Sequence, residues 1–194
     1  MNTLVQTVEL NLKINNESET KMKATPNVIF KVRVPSDDAE PNSCEIFPST
    51  WGDLTTNEIF SNKKVVVFSL PGAFTPTCST YQLPGFEENA QQFYDKGVDD
   101  IYCCSVNDAF VMNAWRDANN LKNVKVLPDG NGTFTEGMGQ LIDMSGVGFN
   151  KRSRRYAMIV DNGTVTKMFI EPDSSAADPD PYGETTPDNV LKSL

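Results

Sequence analysis

The sequence predicts an α/β protein with a central mixed sheet flanked by helices. Three observations carry this. Residues 65–68, VVVF, form a continuous apolar, β-branched run suited to a strand buried on both faces of a sheet. Residues 101–106 read as the next central strand, reached through a helix-compatible stretch. Residues 156–160 and 164–170 flank Asp161-Asn162-Gly163, a strong hairpin signal, so antiparallel pairing joins the parallel part.

Taken in order, Val8, Leu10, Leu12 and Ile14 alternate with Glu9, Asn11 and Lys13, the period of a half-buried strand. Residues 1–25 are therefore read as an extension carrying an extra N-terminal strand or an ordered arm, with a polar turn over 15–23. In 28–34, Phe30, Val32 and Val34 alternate with Lys31 and Arg33, and Pro35 ends the strand. Residues 36–50 are polar, hold Cys44 and allow a short strand at 45–47, while 55–60 predict a short helix. Pro71 and Gly72 stop the strand at 65–68. A helix follows from Ser79 to about Phe93, kinked at Pro84, which lacks an amide donor. Asp108 offers an N-cap for a helix over 109–119, with Phe110, Val111, Ala114 and Trp115 as its apolar face. Residues 124–127 predict a short strand and 130–132 a turn before another short helix. Residues 171–184 are rich in Pro, Asp and Ser. Thr186-Pro187-Asp188 then supplies an N-cap, a proline at the first helical position and an acidic first turn for a last helix. Residues 26–194 are expected to form one domain, in keeping with the chain length.

The chain carries 17 basic and 26 acidic residues, a formal charge of −9. Its basic residues are scattered, which argues against nucleic acid or an anionic membrane as the main partner. There is no histidine. That excludes Cys–His and Ser–His nucleophile pairs and zinc sites needing imidazole, so an activated cysteine must rely on Arg, Lys or a helix terminus. The cysteines Cys44, Cys78, Cys103 and Cys104 include no C-x-x-C pair, and neighbours on a strand point to opposite faces. Neither a disulfide framework nor a metal site is expected. No apolar run is long enough for a signal-peptide core or a membrane span, and the first arginine is Arg33, so a soluble, cytoplasmic protein is the expectation.

Cys78 is the residue on which the reading turns. It lies in AFTPTCS, between a strand end and a helix, and is expected in the first helical turn, where free amide N–H groups and the helix dipole stabilise a thiolate. A buried structural cysteine is the plain alternative. PGAFTPTC followed by LPGF resembles the active-site segment of peroxiredoxins, specifically the peroxiredoxin 5-like branch of thiol peroxidases. SVNDAFVMNAW (105–115), LPDGNGTF (127–134) and RSRRYAMIVDNG (152–163) are similar to later segments of that branch, in order across residues 26–172.

The resemblance implies a thioredoxin-like fold and a peroxidase serving antioxidant defence. Hydrogen peroxide and alkyl hydroperoxides would be reduced by the Cys78 thiolate through a sulfenic acid, with no cofactor. An external thiol, glutathione with glutaredoxin or thioredoxin, would return the enzyme to rest, and a homodimer would form near the active site, with Phe74 and Phe110 as apolar contacts. The Thr75 hydroxyl would bond the peroxide, or merely cap a turn. Pro71 would shape the loop and shield the thiolate, or only stop the strand. The resemblance places the cation at Arg155, with Arg154 as the fallback among Lys151, Arg152, Arg154 and Arg155; a guanidinium stays charged and offers coplanar donors. Gln82 stands in CSTYQLPG where many members of the branch carry His, and an amide hydrogen-bonds without titrating near neutrality. Some relatives carry a resolving cysteine in the C-terminal stretch; residues 170–194 hold none. A one-cysteine cycle is expected, with Cys44 as the mobile competitor. A non-enzymatic redox sensor or binding module on the same fold is the second reading.

Overall fold

The computed structural model describes residues 23–35, 49–175 and 177–194. Its strands are β1 (Lys23–Ala24), β2 (Ile29–Pro35), β3 (Ser49–Thr55), β4 (Lys64–Ser69), β5 (Asp100–Ser105), β6 (Val124–Pro128), β7 (Leu141–Asp143), β8 (Lys151–Ser153), β9 (Tyr156–Asp161) and β10 (Thr164–Ile170). Its helices are α1 (Thr56–Phe60), α2 (Leu83–Glu88), α3 (Ala90–Asp95), α4 (Ala109–Ala118), α5 (Thr133–Gly137) and α6 (Pro187–Leu191), with a π-helical turn, Cys78–Gln82, ahead of α2. A six-stranded mixed sheet runs in the order β1-β10-β9-β4-β5-β6. β4 is parallel to β5 and β5 to β6, while β9 lies antiparallel to β4, and β10 and β1 continue antiparallel. The expected α/β architecture is thus present, with β4 buried from Val65 onward because its apolar residues face helices on both sides.

Two cores result, one on each face. Val66, Phe68, Ile101, Cys103, Ala157 and Ile159 pack with Cys78 on one, and Val65, Val67, Tyr102, Cys104, Tyr156 and Met158 pack on the other. This is the two-residue alternation of a strand read three times over. On the Cys78 face, Phe68 and Phe86 stack with centroids 4.1 Å apart and Phe86 and Phe93 at 5.5 Å, which fixes α2 and α3 to β4.

The helix expected over 79–93 is present in three pieces. Pro84 cannot donate to the Thr80 carbonyl, so the α ladder fails there and the preceding turn closes with a wider bond, Leu83 N–H to Cys78 O. A second break falls at Asn89, between α2 and α3. Asp108 caps α4 as expected, accepting from Phe110 and Val111 N–H, but the buried face is Ala109, Met112 and Trp115, while Phe110 and Ala114 face outward. The short helix expected over 55–60 is present as α1, where the structure adds a capping box (Thr55 with Glu58), and the Thr186 cap of α6 and the tight β9–β10 turn, with Asn162 and Gly163 at positive φ, match the sequence signals. β3, β7 and β8 had no sequence signal, and Lys23, placed in a turn, pairs in β1. The expected strands at 8–14 and 45–47, and Cys44, lie outside the described residues.

Candidate active site

The site forms at the carboxyl end of β4. In the antiparallel register Ser69 pairs with Tyr156, so the residues just beyond, on the loop after β4 and ahead of β9, lie side by side. Gly72 makes the close turn there: a Cβ would come within 3.3 Å of the Thr75 methyl. The Thr75 hydroxyl donates to the Gly72 carbonyl at 2.8 Å, and Asn107 Oδ1 accepts from Ala73 N–H at 3.0 Å and from the Ser105 hydroxyl at 2.8 Å, tying the loop to the end of β5. Phe74 adopts φ 64°, a region costly for a non-glycine residue, and its ring sits 6.4 Å from that of Trp115. Trp115 in turn donates from its indole to the Ser79 hydroxyl at 3.1 Å, joining α4 to the turn that carries Cys78.

Cys78 is in the first helical turn, as expected, and fully buried. Arg155 Nη1 lies 3.5 Å from its sulfur and also donates to Gln82 Oε1 at 2.5 Å. Arg155 Nη2 donates to Asp180 Oδ1 at 2.5 Å, the guanidinium stands 5.8 Å from the Tyr182 ring centroid, and Nε has no hydrogen-bond partner among the described residues. Burial would push this guanidinium down, but the Cys78 sulfur and the Asp180 carboxylate outweigh it and raise it above the usual arginine value, so the group is always charged. The other basic residues go elsewhere. Arg152 bonds the Val106 and Phe149 carbonyls, Arg154 pairs with Asp173, and Lys151 is exposed.

A cavity of about 250 Å³ is lined by Pro71, Thr75, Arg154 and Arg155, by Ile142, Met144 and Phe149 from the β7–β8 region and by the proline-rich segment after β10. Of the sequence candidates, then, Pro71, Thr75 and Arg155 share the cavity and Arg155 reaches the Cys78 sulfur beneath it, whereas Arg154 lines the same cavity but spends its guanidinium on Asp173. With its proton given to Gly72, Thr75 offers lone pairs to an incoming O–H, and Arg155 offers donors to an oxygen that gains charge. Gln82 fills the role of a neutral acceptor for Arg155, which the sequence left open. Asn107, Asp180 and Glu171 had no signal of their own. Cys103 shares the Cys78 core and Cys104 faces the opposite one; burial pushes both thiols well above the usual range.

The fold is that of the thioredoxin-like class. The chain matches the Redoxin family model over residues 35–184. It is 50% identical over 179 residues to a peroxiredoxin of Rhizobium etli, covering 90% of this chain and 96% of that one. Among solved structures it is similar to the Plasmodium falciparum antioxidant protein, a 1-Cys peroxiredoxin, with TM-score 0.78 and 37% identity over 89% of this chain and 97% of that one. It is likewise similar to reduced Prx3 of Vibrio vulnificus in complex with H2O2, with TM-score 0.74 and 37% identity over 89% of this chain and 93% of that one. The chain belongs to the peroxiredoxins and is a thiol peroxidase. No helix among the described residues is long and apolar enough to cross a membrane.

Proposed function

We propose that Cys78 is the peroxidatic residue of a one-cysteine cycle acting on hydrogen peroxide and alkyl hydroperoxides. The single observation that carries this is the Arg155 guanidinium, which lies 3.5 Å from the Cys78 sulfur and lines a cavity together with Pro71 and Thr75. The thiolate attacks the nearer peroxide oxygen, the O–O bond breaks, and the pair of electrons leaves on the far oxygen, which takes a proton as water or alcohol. Cys78 becomes a sulfenic acid. Arg155 stabilises the charge passing from sulfur to oxygen, Thr75 orients the peroxide by accepting its proton in a hydrogen bond, and Pro71 keeps water from the sulfur.

Resolution is by an external thiol, glutathione with glutaredoxin or thioredoxin. Cys103 and Cys104 support this reading, since both sit in β5 between two paired strands with raised thiols. A cytoplasmic homodimer is the form we propose, with the exposed Phe74 and Phe110 in its interface. Crossing two peroxides with the two thiol systems in a steady-state assay tests the cycle. Cys78→Ser should abolish turnover, because a hydroxyl without a base stays protonated, and Arg155→Lys should lose about tenfold or more, because a point charge cannot serve sulfur and oxygen together. Wild-type turnover in Cys78→Ser would overturn the assignment. No steady-state consumption with any added thiol would favour a redox sensor instead.

A further inference from the structure

The guanidinium of Arg155 is held at two points. Gln82 takes Nη1 and Asp180 takes Nη2, the latter from the Pro-, Asp- and Ser-rich segment 171–184. A planar fork gripped at both ends cannot rotate in its plane; gripped at Nη1 alone, it pivots.

The segment that delivers Asp180 is built to be stiff. Pro179 and Pro181 flank it, fixing φ on both sides and pressing the intervening residue into an extended conformation. Pro181 is buried, and Tyr182 lies beside the guanidinium. The segment is also closed on itself: the buried Glu171 carboxylate accepts from Gly183 N–H at 2.9 Å, Thr185 N–H at 2.7 Å and the Thr185 hydroxyl at 2.8 Å, so the end of β10 clasps the chain as it returns. Thr185 also reaches Gln82, receiving Nε2 at 3.5 Å, so both anchors of Arg155 share one support.

We infer that Asp180 is a positioning residue for the peroxidase reaction, orienting Arg155 so that its remaining donors face a peroxide oxygen while Nη1 stays on the Cys78 sulfur. This rests on the assignment of Cys78 and Arg155 above. What the reaction needs from Asp180 is a fixed acceptor oxygen. Its negative charge is not required, since Asp180 partly offsets the cation it holds.

The test is a double-mutant cycle read by the second-order rate constant for peroxide. Asp180→Ala should lose about tenfold, whereas Asp180→Asn, which keeps an acceptor oxygen at the same reach, should stay within about threefold of wild type. In an Arg155→Met background, Asp180→Ala should cost less than about twofold, because nothing remains to orient; a role in merely holding the segment would cost the same in both backgrounds. Equal losses in Asp180→Ala and Asp180→Asn, an undiminished Asp180→Ala, or additive losses with Arg155→Met would each overturn the inference. Failure of the underlying assignment looks different: Arg155→Met or Cys78→Ser would then match wild type.

Discussion

Gln82 shows how much one side chain can decide. It is fully buried, its amide oxygen accepts from Arg155 and its amide nitrogen reaches Thr185. A histidine there would change charge near neutrality; an amide does not, so the hold on Arg155 is constant across the physiological pH range. Gln82→Leu removes the acceptor and leaves a buried Nη1 short of a partner. Such a bond to a charged group is worth roughly 1.5–3 kcal/mol, so peroxide reduction should slow by about tenfold to a hundredfold, measured by stopped-flow. The choice between Arg154 and Arg155 was legible in principle. Ala157 and Ile159 share the core of Cys78, and strand parity puts Arg155 with them. Deciding it needed the face of Cys78 as well, and Cys78 lies on a helical turn whose orientation no strand alternation reports.

At the level of elements, the turn that bears Cys78 is braced from the far end of α2. Glu87 accepts from the N–H groups of Lys122, Asn123 and Val124 and from the Asn123 side chain, at 2.8 to 3.1 Å, so the start of β6 is tied to the helix behind the site. Desolvation pushes this carboxyl up, but the donors from Val124, Lys122 and Asn123 outweigh it and hold it below the usual glutamate range. A folded-state value below the unfolded one means the stabilisation is full at neutral pH and fades as pH falls through the ordinary carboxylate range. Glu87→Gln should therefore unfold somewhat more easily at pH 7, by less than about 1 kcal/mol once solvent screening of this partly exposed carboxyl is allowed for, with the difference shrinking as pH falls below the usual glutamate range, in urea melts across pH. Helix caps and the β9–β10 turn were readable because each is a local device written in adjacent residues. β3, with Trp51, Gly52 and Asp53, has no alternation to read; it exists because β2 pairs with it along its whole length. The short β7 and β8 likewise depend on each other and on no pattern within themselves.

For the molecule as a whole, the order of central elements was legible because burial on both faces leaves an apolar signature that solvent-facing segments lack. The assembly was not, since a surface aromatic reads the same whether it meets water or a partner. Phe74 and Phe110 are 57% and 45% exposed, and if they meet a second copy, light scattering at high micromolar concentration should give twice the chain mass, falling toward a monomer in Phe74→Glu/Phe110→Glu. A lone species of chain mass in the wild type would discard that surface. The adjacent thiols of β5 have a separate use. Cys103 and Cys104 are sealed on opposite sides of the same strand, each with 0% exposure, so reagent reaches either only when the sheet comes apart. In a Cys44→Ser/Cys78→Ser chain, the rate at which a maleimide labels them becomes a clock for whole-molecule opening. Simultaneous labelling of the two would mean that both cores are lost together, and one thiol leading the other would show which face of the sheet is the first to let go.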